Sequence, residues 1–130
     1  MAETVKKRFD TPDETRMVPK AKVEILDLGG NQVMRGVFEP GWKWSECMSS
    51  TVGTDTCQTE HLGYVVSGSM HIKMDDGTEI TFNPGDAAYI PPGHDAWVTS
   101  NESCVFLDFQ GATHYAKPQK QAEAGAGSNM

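Results

Sequence analysis

Three side chains near the middle of the chain are the best equipped for chemistry: Cys57, His61 and His94. Cys57, Thr59 and His61 alternate along the sequence, so an extended backbone turns all three to one side. A thiolate with two imidazoles is a soft-to-borderline donor set that suits zinc, iron or copper and leaves a coordination position open. Asp55 could add a carboxylate. The competing reading makes Cys57 a small buried hydrophobe and the histidines hydrogen-bonded polar groups. Glu60 has the opposite parity to His61 and reads as a solvated carboxylate. Asp95, next to His94, faces away from it and is expected to cap the Pro91-Pro92-Gly93 turn. His71 alternates with Met70 and Ile72 and is expected to face solvent. His114 is given no role.

A second group could shape a pocket for a small molecule: Trp42, Trp44, Tyr64, Met70, Tyr89 and Trp97. Trp42 and Trp44, two apart, put both indoles on one face of an extended chain, where they fill a core or interface or form an aromatic wall. Tyr64 and Tyr89 lie in strand-like runs. Their phenols either pack or orient a substrate.

The elements that must position these residues read as strands. Ser69–Met74 alternates, Asp75-Asp76-Gly77 turns the chain, and Thr78–Phe82 alternates again, a hairpin pattern. Val23–Leu28, closed by Gly29-Gly30-Asn31, and Val33–Phe38, ended by Pro40-Gly41, are two earlier strands. Ala96–Thr99 and Cys104–Phe109 are the last two. Ser49–Thr56 is small and polar and reads as a loop.

Gly63-Tyr64-Val65-Val66-Ser67-Gly68, Pro84-Gly85-Asp86 and Ile90-Pro91-Pro92-Gly93-His94 resemble the two motifs of the cupin superfamily, over roughly residues 35 to 110. The resemblance implies a single-domain, all-β antiparallel cupin (jelly-roll) β-barrel that often holds a metal. In register with the first motif, His61 stands at the glutamate position, Cys57 and Asp55 at the two histidine positions, and Ser49 at the opening glycine. In the second motif Gly85, Pro91 and Gly93 match, Ala96 stands at the histidine position and Ser100 at the asparagine position. His94 falls two residues early, with the parity of Ala96. The glycine and proline skeleton therefore matches a cupin while the usual metal set does not. The combination with Trp42-Lys43-Trp44-Ser45 is similar to a subgroup of small bacterial cupins.

The chain's 130 residues suit one domain with one core, expected over 21–116, with an N-terminal arm at 1–20 and a flexible, disordered tail at 117–130. A net charge of -7 argues against a nucleic-acid surface. No apolar run suggests a membrane helix or a signal peptide, so a cytoplasmic protein is expected. Three cysteines without a Cys-x2-Cys pair suggest reduced thiols rather than a disulfide framework or a zinc knuckle. The edge of Val23–Leu28 and the cupin resemblance together imply a homodimer. Two functions of different class follow: a metal-dependent enzyme acting on a small molecule, or a non-catalytic barrel that binds or senses a small ligand without a metal.

Overall fold

The computed structural model describes residues 3–111. Among the described residues nine strands run in chain order: β1 (Glu14–Val18), β2 (Ala21–Leu28), β3 (Asn31–Phe38), β4 (His61–Ser67), β5 (Met70–Met74), β6 (Glu79–Phe82), β7 (Ala87–Ile90), β8 (His94–Val98) and β9 (Cys104–Asp108). Two one-turn helices, α1 (Trp44–Cys47) and α2 (Ser49–Val52), lie between β3 and β4.

The strands form two sheets. One has six strands in the order β1-β2-β3-β9-β4-β7, and the other has three in the order β6-β5-β8. All their pairings are antiparallel. The expected all-β jelly-roll β-barrel is thereby corrected, because among the described residues no ladder closes the two sheets into a barrel and helical turns are present. The reason is local. Between the ladders, Lys43 and Cys57 each meet β8 through a single backbone bridge, to Trp97 and His94 respectively. The segment between those two bridges coils into α1 and α2 instead of extending, so Ser49–Val52, read as loop, is helix.

The inner faces of both sheets build one core. Val23, Ile25, Met34, Phe38, Val65 and Ile90 come from the larger sheet and Met70, Ile72, Phe82 and Val98 from the smaller. The hairpin forms as its alternation predicts, with Met70 paired to Phe82 and Lys73 to Glu79. Leu26 breaks the alternation of β2 because the outer face is also covered there. Glu24 on that face is buried against Arg35, whose Nη2 donates over 2.8 Å and whose guanidinium lies 4.9 Å from the ring of Phe9.

Residues read as an arm contain β1, which pairs with β2 along its length from Glu14↔Ile25 to Val18↔Ala21. The edge that Val23–Leu28 was expected to expose is therefore covered, and β1 is the edge instead. The tail from 117 and His114 lie outside the described residues. No helix of the described residues is long and apolar enough to cross a membrane.

Candidate metal centre

Cys57 lies before β4 but keeps strand alternation, since Cys57, Thr59 and His61 are buried while Gln58 and Glu60 are exposed. It is fixed by backbone bonds to the start of β8. The Cys57 amide donates to the carbonyl of His94 over 2.8 Å, and the Gly93 amide donates to the carbonyl of Cys57 over 2.7 Å. Gly93 takes φ +91°, and a Cβ there would stand 2.8 Å from Asp75 Oδ2, so a side chain would both strain and crowd this approach. His61 opens β4 and His94 opens β8. Three non-adjacent residues thus meet, their donor atoms all within 4.8 Å of one another.

Each imidazole is oriented from behind. His61 Nδ1 hydrogen-bonds Asp108 Oδ2, and its Nε2 lies 3.6 Å from Cys57 Sγ. His94 Nδ1 donates to the carbonyl of Pro91 over 2.8 Å, which leaves Nε2 as the ring nitrogen with a lone pair in the neutral form. Outward anchoring of this kind fixes the tautomer and ring plane of metal-ligating histidines. Asp108 is itself held: its Oδ1 accepts from the amides of Gln110 and Gly111 at 2.9 and 2.8 Å. A Cβ on Gly111 would sit 2.9 Å from His61 Nδ1, so the chain passes close over the pair.

Electrostatics follow from this packing. Burial pushes the Cys57 thiol up, but hydrogen bonds and charge from His61 and His94 outweigh it and bring the value down to about 6. Burial likewise opposes an imidazolium at His61, yet the hydrogen bonds to Asp108 and Cys57, with their charges, raise it to about 10. For Asp108, burial works upward, and the hydrogen bond and charge of His61 with the two amides hold its carboxyl below the usual range. All three shifts run toward the charged forms, a thiolate at Cys57, an imidazolium at His61 and a carboxylate at Asp108.

The site faces an apolar cavity lined by Trp42, Trp44, Met34, Phe38, Met70, Ile72 and Phe82 beside His61 and His94. The cavity is small, about 40 Å3. Trp42 and Trp44 are each 1% exposed. Neither indole N–H has a hydrogen-bond acceptor among the described residues, and an unmade buried bond of this kind costs about 1–3 kcal/mol.

Of the six residues expected around a ligand, Trp42, Trp44 and Met70 therefore reach this cavity. Tyr64 and Tyr89 do not: both are exposed, and the Tyr89 hydroxyl donates to Glu60 Oε2 over 2.6 Å. Trp97 lies on the other face of β8, under Lys43 Nζ at 5.0 Å and 4.9 Å from the ring of His71. Asp55 lies outside the donor cluster. Asp95 does not cap the Pro91-Pro92-Gly93 turn; it accepts from the Ser45 amide over 3.0 Å, tying α1 to β8. The residue missed from sequence is Asp108. Its signal is parity, since it follows Cys104 and Phe106 on the inward register of β9 as an acid among apolar neighbours.

Residues 39–106 match the model of the EutQ-like cupin domain, and the chain belongs to that family. A search of curated proteins finds no match. Among solved structures the fold is similar to the polyketide cyclase RemF from Streptomyces resistomycificus, at TM-score 0.59 and 20% identity over 83% of this chain and 78% of that one. It is also similar to KdgF from Halomonas sp., at TM-score 0.50 and 20% identity over 75% and 87% of the two chains. A protein of unknown function from Acinetobacter sp. ADP1 aligns at TM-score 0.55 and 13% identity over 75% and 90%. At such identities the likeness is one of fold.

Proposed function

We propose that the chain is a metal-dependent small-molecule domain in which Cys57, His61 and His94 hold one divalent transition ion, zinc, iron or copper, at the wall of the apolar cavity. The observation that carries this reading is the convergence of one sulfur and two imidazole donors within 4.8 Å, with the Nδ1 of each ring engaged away from the cluster. A bound ion would supply Lewis-acid polarisation of a ligand oxygen at an open position. The chain's own residues do the rest: Asp108 and the Pro91 carbonyl set the rings, and the apolar wall excludes water.

A second reading, a binding or sensing domain without a metal, is favoured by the same network being able to satisfy itself. Cys57 and Asp108 each hydrogen-bond the ring of His61, one at either nitrogen, so these side chains find partners without an ion.

Titration of tag-free protein with zinc, iron(II) and copper(II), followed by elemental analysis and calorimetry, separates the two. We expect one ion per chain, with release of about one proton at neutral pH. The sign follows from the two groups: at pH 7 Cys57, at about 6, has already lost its proton, while His61, at about 10, must give one up to the ion. Affinity should rise with pH toward 10, by about tenfold per unit, and fall more steeply below 6 as Cys57 is protonated. Failure of all three metals to bind stoichiometrically would leave the second reading.

A further inference from the structure

The outer face of the larger sheet is treated differently at its two ends. Over β2 and β3 the chain's own first residues lie on it: the Phe9 ring sits 4.9 Å from the Arg35 guanidinium, and Asp13 Oδ2 accepts from the Asp27 amide over 2.8 Å. Over β4, β7 and β9 the outward side chains stay open to solvent although they are apolar. Leu62, Tyr64, Val66, Tyr89 and Phe109 are 42–54% exposed. Strand register joins them into one block. Leu62 pairs with Tyr89 on β7, and on its other side its carbonyl accepts from the Phe109 amide over 2.8 Å. Tyr64 pairs with the partly buried Leu107 on β9, and Val66 continues the outward parity of β4. No outward position of β4, β7 or β9 carries a charge. With about 150–250 Å2 for each aromatic side chain, the open part of the block comes to roughly 500 Å2, the larger share of the ~800 Å2 that each partner gives to a standard interface. An apolar patch of that extent marks an interaction site.

The possible occupants differ in what they bring. Residues 112–130 start beside Phe109, but their only large apolar side chains are Tyr115 and Met130. A basic partner attracted by the net charge of -7 would seek carboxylates, which the outward positions of these strands lack. A second copy brings an identical apolar block. Two copies of like charge repel, so the uncharged face is where they can approach, and a two-fold axis sets the same patch against itself. We propose that two copies of the chain pack back to back through the outer face of β4, β7 and β9. The pairing surface thereby moves from the strand edge expected at Val23–Leu28 to a sheet face. Leu62 and Phe109 directly follow His61 and Asp108 in the chain, so the partner would lie behind the candidate metal centre, across the same two strands.

Sedimentation velocity tests this and reads mass alone, whatever the ion content, so its result is separate from that of the metal reading. Wild type at micromolar concentration is expected at twice 14.2 kDa. The double variant Leu62→Lys with Tyr64→Lys places two lysines from each copy in the interface and is expected to sediment as a single chain, with its far-ultraviolet circular dichroism unchanged. Met17→Lys, at a side chain 70% exposed on the edge strand β1, is the control and should stay paired. A monomeric wild type overturns the proposal. So does a double variant that stays paired, or a Met17→Lys that does not, which would put the interface at the β1 edge. If the double variant loses its folded spectrum, Tyr64→Ala decides in its place: pairing weakened about tenfold or more is expected, and unchanged pairing overturns the proposal.

Discussion

Two histidine settings share the three-stranded sheet, and they behave as opposites. His94 opens β8 on its inner face, 2% exposed, with His61 and Cys57 across from it. His71 sits on the outer face of β5, paired across the ladder with Trp97. Its two ring nitrogens contact Thr81 Oγ1 at 2.7 Å and Glu79 Oε1 at 2.6 Å, both from the neighbouring strand β6. The number of polar contacts does not separate the two settings. The outer ring spends both nitrogens on its own hairpin, whereas the inner rings spend only Nδ1 on their supports and direct the other edge toward a shared point. A histidine cluster becomes a candidate centre when its outward bonds leave its inward nitrogens converging.

The sharpest way to break this contrast is His61→Ala. It removes a donor and also leaves Asp108 buried without its partner, so we expect metal occupancy to fall below detection, together with a loss of about 3–5 kcal/mol of stability. Elemental analysis and urea denaturation read the two effects separately. Retained stoichiometric metal would exclude His61 as a ligand.

A smaller effect is expected from Asp108→Asn, which nearly preserves shape and removes the charge behind His61. Loss of such a support typically lowers metal affinity about 10–100-fold while leaving the donor set in place. Competition with a chromophoric chelator measures this directly, and an unchanged affinity would reduce Asp108 to a packing role. The smallest change should come from His71→Ala. Exposed pairs contribute about 0–1 kcal/mol, so stability should shift within that range and metal affinity should not shift at all. A fall in affinity equal to that of Asp108→Asn would abolish the distinction between the two faces.

What could be read from the sequence was what local periodicity encodes. The β5–β6 hairpin was legible because alternation and the Asp-Gly turn lie within a few residues of each other. The shared orientation of Cys57 and His61 was legible for the same reason, even though β4 begins only at His61. Sheet organisation was not, because β9 pairs with both β3 and β4, elements far from it in sequence, and nothing local states whether the two sheets close. The helical turns were hidden by composition: Ser49-Ser50-Thr51 favours loops and caps over helix interiors, and only the tertiary setting between β3 and β4 overrides it. Tyr64 and Tyr89 were drawn toward the pocket by the company of motif residues, while their pairing register puts them on the exposed side of the larger sheet. Asp108 required knowing which residue of β4 it would stand beside.

The backbone bridge between Cys57 and the Gly93-His94 step has a kinetic meaning. Its three bonds join segments separated by the whole β4–β7 stretch, and they belong to the main chain, so no substitution of a ligand side chain removes any of their donors or acceptors. The amides of Cys57 and Gly93 should therefore exchange with solvent slowly and together, in protein with and without an ion. An incoming ion would meet donors already held in place, and its arrival would be limited by passage through the cavity wall and by release of the His61 proton rather than by folding of the chain around it.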